Sequence, residues 1–507
     1  VALGAVVVVA LALLSGGTRA DPRTPPALPG LPPPFLGTAV IGSGARTAAV
    51  DAYGDVVGLW APGPAGRSLI YNPADRQAAG SVPADTGIVA RMPAEQRSIP
   101  LWRADSVTQR YLPGTNVLRT TARSGIHRFE IVRAIRGGLL ECVAGLGVPA
   151  AGPCPSPSMA AAAEADRRWL ARARPLGGGA PPWARAMYRR SLLVLRALTD
   201  RRSGAVAAGA REGWAYVWPR DASAVAIALA SAGYRSEARQ IVRFLQRLDL
   251  GAAARFHGTG DPVDGRAAQG DAPGWVAVAA RATGLTTIRP DRDSSVRARS
   301  KRETPGMPTS RTGQADYQEG DSGDYLGNAL AEASLIPTGP SSGGATGAIR
   351  ARFGTPEGLV REAGEPGSGL DSAAAWAVRP FSQPALFPLA RRTLLRLAAR
   401  GTRYGIVPSE GWNGGVDPWT APTAWTAWGL AALADTEREQ SRPTARRDRH
   451  AALRLMAELR RAATPAGPLP ERVGAGAGIP RSTTPLAWSH AFAILALREL
   501  WPGRAGS

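Results

Sequence analysis

Helices of two kinds alternate along this chain after residue 180, and that alternation limits the folds open to it. Ala222 to Ala232 and Ala421 to Ala434 are apolar on nearly every side, so each demands burial all round. The segments 236–249 and 444–463 carry arginines along one face and belong at a periphery. In 183–199, Met187, Val194, Leu195 and Leu198 share a single face. Further helices are expected at 222–233, 384–400, 421–436 and 485–501, with weaker ones at 292–302 and 344–352. About twelve helical segments follow the break at Gly177-Gly178-Gly179 and Pro181-Pro182. Buried helices alternating with amphipathic ones predict two concentric rings, an α/α toroid whose loops at one end line a central pocket. A plain helical bundle or solenoid satisfies the same periodicity.

The texture upstream is different. From Phe35 to about Arg133 short alternating strands are separated by turns. Arg46 to Val50 and Val56 to Trp60 flank Tyr53-Gly54-Asp55 as a hairpin. Leu101 to Leu112 and Asn116 to Arg123 flank Pro113-Gly114, and His127 to Val132 alternates again. An all-β sandwich is therefore expected over 35–155. Met159 to Arg174 reads as an Ala-rich helix within a linker at 156–182, and the helical domain runs over 183–503.

Val1 to Leu14 is an apolar run followed by small residues, too short to span a bilayer comfortably. Residues 1–20 read as an export signal, with an uncleaved membrane tether as the competing reading. Residues 21–34 form a Pro-rich spacer. Either way the body of the protein is expected outside the cytosol, secreted or at the cell surface. Cys142 and Cys154 enclose a short Gly/Pro-rich loop and would pair in an oxidising compartment. Two free thiols are the alternative.

Two cysteines exclude a disulfide scaffold and a zinc site built from four thiolates. The four histidines are scattered and no His-Glu-x-x-His is present, so no metal or other cofactor is expected. The net charge is +21, and only Lys301 among the basic residues is lysine. The arginines are spread along the whole chain and form no stripe with aromatics, so no nucleic-acid partner is expected. A monomer is expected.

Five loop segments could carry chemistry. Gly213-Trp214-Ala215-Tyr216-Val217-Trp218-Pro219-Arg220-Asp221 is a dense aromatic loop opening a buried helix. Indole faces stack on sugar C–H surfaces, and an Arg/Asp pair grips hydroxyls. Asp221 could equally cap the helix with Arg220 paired to it. Gln269 to Trp275 repeats the pattern, with Asp271 either capping or orienting a hydroxyl. The cluster Asp316-Tyr317-Gln318-Glu319-Gly320-Asp321 precedes a helix, where carboxylates also complement the helix dipole. Pro408-Ser409-Glu410-Gly411-Trp412-Asn413 and Pro468-Leu469-Pro470-Glu471-Arg472-Val473 each hold one Glu, the latter upstream of Thr484-Pro485-Leu486-Ala487-Trp488-Ser489-His490. Twelve of the fourteen tryptophans follow residue 150, and at least six sit in predicted loops or helix mouths, which suits a carbohydrate pocket better than a core.

The tract Tyr188 to Tyr234, with its Trp-Pro-Arg-Asp loop, resembles the glucoamylase-type enzymes of glycoside hydrolase family 15. Gln269 to Trp275 is similar to the family's Gln-x-Asp-x-x-Gly block. Asp316-Tyr317-Gln318-Glu319 resembles a bacterial Asp-Tyr-Trp-Glu block. Pro470-Glu471 with Pro485-Leu486-Ala487-Trp488-Ser489-His490 resembles the closing block. The likeness covers most of 183–500, and the β unit resembles the N-terminal sandwich of bacterial members. It implies an (α/α)6 barrel and inverting, exo-acting hydrolysis of α-glucosidic bonds in oligo- or polysaccharides. Glu319 would be the general acid and Glu471 the general base. Arg220 and Asp221 would hold the terminal sugar, with Tyr216, Trp218, Asp271, Trp275, Trp412 and Trp488 around it. The sequence departs from the family at Gln318, which replaces an aromatic neighbour of the acid, and at the highly charged stretch 291–302. Glu410 is therefore a rival acid, and a glycan-binding protein that lost catalysis is the alternative function.

Overall fold

The computed structural model describes residues 27–74, 86–94, 97–145, 154–263, 265–286, 325–336, 340–412, 415–436 and 441–503. Strands β1 (Gly37–Gly42), β2 (Thr47–Asp51), β3 (Val56–Ala61) and β4 (Arg67–Ile70) form one sheet in sequence order. After a short pair, β5 (Arg91–Ala94) and β6 (Arg97–Pro100), come β7 (Ser106–Tyr111), β8 (Leu118–Ser124), β9 (His127–Arg136) and β10 (Gly138–Gly145). These four make a second sheet, and all neighbours in both sheets are antiparallel. The expected single strand over 101–112 is interrupted: Leu101–Arg103 is a 3-10 turn and pairing begins at Ser106.

Strand alternation explains how the first sheet serves two cores. Ala39, Ile41, Ala48, Val50 and Val56 face Leu118 and Ile135 of the second sheet. Val40, Ala49, Val57 and Trp60 point the other way, into the core of the helical region. The sandwich is thus covered by helices rather than by water on that side. Helix α1 (Pro157–Ala171) packs Met159 and Ala163 against Val117, Val132 and Ala134. Its Asp166 accepts from the Asn116 N–H at 2.7 Å and from Arg196 at 2.9 Å, so one carboxylate ties sandwich, linking helix and ring. Cys142 and Cys154 are joined by a disulfide.

Two carboxyls lie buried in the sandwich. Asp51 accepts from the N–H groups of Phe35, Tyr53 and Asp55, and Asp55 accepts from Ala90. Burial pushes both upward from the ordinary carboxylate value, and the charge of Asp51 pushes Asp55 further, to about 9. A group whose folded pKa is raised stabilises the fold fully below its unfolded value of about 4 and loses that contribution as pH climbs through the folded value. The melting temperature is therefore expected to fall between pH 6 and pH 9, and Asp55→Asn is expected to flatten that slope. Identical slopes for the two proteins in a calorimetric pH series would exclude the pair as the cause.

Helices α2 (Pro182–Leu198), α3 (Pro219–Ser231), α4 (Arg235–Leu245), α5 (Ala272–Thr283), α6 (Leu326–Ala333) and α7 (Pro340–Phe353) follow, then α8 (Ala374–Val378), α9 (Phe387–Arg400), α10 (Thr420–Thr436), α11 (Arg442–Ala462) and α12 (Ala487–Leu500). Six of them form a closed inner ring: α3 packs on α5, α5 on α6, α6 on α8, α8 on α10, α10 on α12, and α12 on α3. Around it, among the described residues, lie α2, α4, α7, α9 and α11. Ring position follows composition. All but one of the residues of α3 are buried, as are its counterparts in α10 from Thr420 to Ala434, whereas α11 leaves most of its arginines in solvent. The fold is a β-sandwich on an α/α toroid. The predicted helix at 344–352 is part of α7, and the one at 292–302 lies outside the described residues. A hairpin was not anticipated between α7 and α8, where β11 (Gly354–Thr355), β12 (Gly358–Glu362) and β13 (Glu365–Leu370) pair. Its glycines and charges read as loop, and strand pairing replaces the missing apolar alternation. No helix among the described residues is long and apolar enough to cross a membrane. The proposed signal or tether at 1–20 lies outside them.

Candidate active site

The loops that run into the N-terminal ends of the inner helices gather at one end of the ring. Backbone bonds stitch them together: Val217 pairs with Phe256, Trp419 with Ile406 and Arg472, and Gly209 with Leu486. The Thr420 N–H donates to Glu471 O at 3.0 Å, and the Glu471 N–H to Thr483 O at 2.9 Å. Thr420 Oγ1 donates to Pro470 O and lies 2.8 Å from Ser489 Oγ. Residues far apart in the chain therefore meet here.

Glu471 is half-buried at this end. Trp214 Nε1 donates to its Oε1 at 3.4 Å, and Ser482 Oγ donates to its Oε2. Each oxygen of the carboxyl group therefore meets one donor. The segment below is pinned by His490, which is wholly buried. Its Nε2 accepts the Leu469 N–H at 2.9 Å, so Nδ1 carries the hydrogen toward Ser191 Oγ, also at 2.9 Å. Burial pushes this imidazole down to about 3, which keeps it neutral and able to accept.

Arg220 stands at the start of α3 and is 3% exposed. Its Nη1 donates to Gln269 Oε1 at 3.0 Å and to Asp271 Oδ2 at 2.8 Å, while Nε lies 3.8 Å from Asp221 Oδ2. The guanidinium covers the ring of Trp488 at 5.0 Å. Tyr216 and Trp218 line the adjoining loop, with Arg255 over their rings at 5.0 and 5.7 Å. Trp412 lies partly buried beside Trp419, their rings edge-on at 5.6 Å.

Several expectations need correction. Asp221 does not cap α3; Trp218 holds the cap position and Asp221 lies within the first turn. Asp271 holds the cap position of α5, but its side chain makes no cap bond and turns to Arg220 instead. A buried guanidinium needs a counter-charge more than a helix start needs one cap. Trp275 is not a pocket residue. It is 0% exposed, edge-on to Trp376 and Phe381 at 5.1 Å each, because its position on α5 faces the neighbouring inner helices. Glu410 accepts from Arg396 Nε at 3.2 Å, from Arg400 Nη1 and from the Leu370 N–H. Held by two guanidiniums and a backbone N–H, it forms a strut between α9 and the hairpin. Glu319, with Asp316, Tyr317 and Gln318, lies outside the described residues. Sequence reasoning passed over the indole N–H of Trp214, the hydroxyl of Ser482 and the carboxyl of Asp371. The last is buried at the head of α8, accepts the Ala373 N–H at 2.7 Å and is pushed up to about 7 by burial. A Gly-Leu-Asp-Ser stretch before a short Ala-rich helix was its only sequence signal.

Residues 182–256 match the family model described as glycosyl hydrolases family 15. That segment is similar to glycosyl hydrolases family 15. The family segment spans α2, the aromatic loop with Arg220 and Asp221, α3 and α4. A bacterial glucoamylase in complex with acarbose is 12% identical at a TM-score of 0.60, covering 92% of this chain and 94% of that one. It shares the fold, sandwich included. A wild-type glycosidase (18% identical, TM-score 0.48, 66% and 98% covered) and the glucoamylase from Saccharomycopsis fibuligera (14%, 0.45, 62% and 94%) are also similar. No curated protein matches the chain.

Proposed function

We propose that this chain is a family 15 glycosyl hydrolase, an exported, inverting, exo-acting α-glucosidase of oligo- or polysaccharides. The observation that carries the reading is the placement of Glu471. Its carboxylate, with donors on both oxygens, lies against the aromatic loop that ends in Arg220 and Asp221. Glu471 acts as general base on a water, and Glu319, by its motif alone, as general acid on the glycosidic oxygen. Inversion needs the two carboxyl groups about 6.5–9.5 Å apart, leaving room for that water. Arg220 and Asp221 hold hydroxyls of the terminal sugar, and Tyr216 and Trp218 flank it. The Cys142–Cys154 disulfide supports residence in an oxidising compartment outside the cytosol. A second reading, glycan binding without turnover, is favoured by Gln318, which removes an apolar neighbour that would keep Glu319 protonated.

The test is an NMR time course with maltose and isomaltose. The β-anomer of glucose is expected first. Initial appearance of the α-anomer would reject single displacement, and binding without product would favour the second reading.

A further inference from the structure

Resting on the reading of Arg220 as a sugar-gripping group, we infer that Asp271, helped by Gln269, is a positioning residue that acts only through that guanidinium. Asp271 is 0% exposed, against 3% for Arg220 and 5% for Asp221, so it offers a ligand no surface of its own. Asp271 and Gln269 each direct an oxygen at the same atom, Arg220 Nη1, at 2.8 and 3.0 Å. Asp271 does so while standing at the cap position of α5 and leaving that helix uncapped by its side chain. The guanidinium lies over the Trp488 ring at 5.0 Å. Arg220 is thereby fixed in rotation by two acceptors and in tilt by an indole. Among the described residues Asp271 forms the short ion pair with Arg220, at 2.8 Å, whereas Asp221 is 3.8 Å away. A planar fork held in this way meets a hydroxyl without losing rotamer freedom on binding.

The charge has a consequence for the ligand. With Asp271 and Asp221 beside it, the Arg220 group carries no net positive charge toward the pocket, which fits a neutral sugar hydroxyl. Loss of the Asp271 charge leaves a buried cation that turns toward Asp221, the carboxylate that should itself meet the sugar.

Wild type, Asp271→Asn, Arg220→Gln and the double variant are compared on maltose, with turnover and calorimetric binding measured for each. Asp271→Asn is expected to lower kcat/KM by about tenfold or more, and the double variant to be no worse than Arg220→Gln alone. Losses that multiply in the double variant would mean that Asp271 meets substrate independently of Arg220, and would overturn the inference. An inert wild type would reject the hydrolase reading, while the same cycle in maltose binding still judges Asp271. A crystal structure of Asp271→Asn decides the point without any ligand. Displacement of the Arg220 guanidinium from the Trp488 ring supports the inference, and an unmoved guanidinium refutes it.

Discussion

Glu471→Gln is expected to lower kcat toward maltose by about 10²–10⁴-fold, the range for loss of a general base. The amide keeps the shape, its carbonyl oxygen accepting from Trp214 and its NH2 donating to the rotatable Ser482 hydroxyl, so the fold and sugar binding should persist. What disappears is the capacity to take a proton from water. Turnover and calorimetric maltose binding measured together separate the two effects. Near wild-type turnover would remove Glu471 from the chemistry. Loss of binding in step with turnover would make it a ligand-holding group instead.

Trp275→Ala should cost about 3–5 kcal/mol of stability, as truncation of a buried aromatic does. Its ring fills the space between α5, α8 and α12, edge-on to Trp376, Phe381 and Phe492, and the cavity left behind faces three helices that cannot all close on it. A chemical denaturation midpoint reads the loss. A stability close to wild type, with sugar binding abolished, would return Trp275 to the pocket and contradict its burial.

Much of the architecture was legible in the residue pattern because burial is a local property of composition. Ala222 to Ala232 offers no polar face, so it can only be inside; the arginine-lined face of 444–463 can only be outside. The alternation of these types yields two rings without knowledge of any contact. The hairpin at 354–370 was illegible for the complementary reason. It is held by pairing between strands poor in apolar residues, and pairing leaves no period in such a segment.

The motif residues divide along the same line. Arg220 stood out by its dense aromatic loop, whereas Glu471, beside Arg472, read as readily as a surface ion pair and was picked out by the resemblance of its block alone. Their partners could not be singled out, since Trp214 and Glu471 are separated by 257 positions and Arg220 and Asp271 by 51. Asp271, Glu410 and Trp275 were each assigned from what stood beside them in the chain, and each proved to be governed by something distant: Arg220, the guanidiniums of α9, and the aromatic rings of α8 and α12.

The sequence by itself determined which segments would be buried on every side, where the β unit gives way to helices, and which loops bear aromatic and charged side chains together. Those properties depend on each residue's own transfer energy and on a period of two or 3.6. Only the tertiary structure decided which partners each of several chemically identical carboxylates and indoles meets. A carboxylate's role is set by the charge and donors within a few ångströms of it, and those arrive from elsewhere in the chain only once the ring has closed.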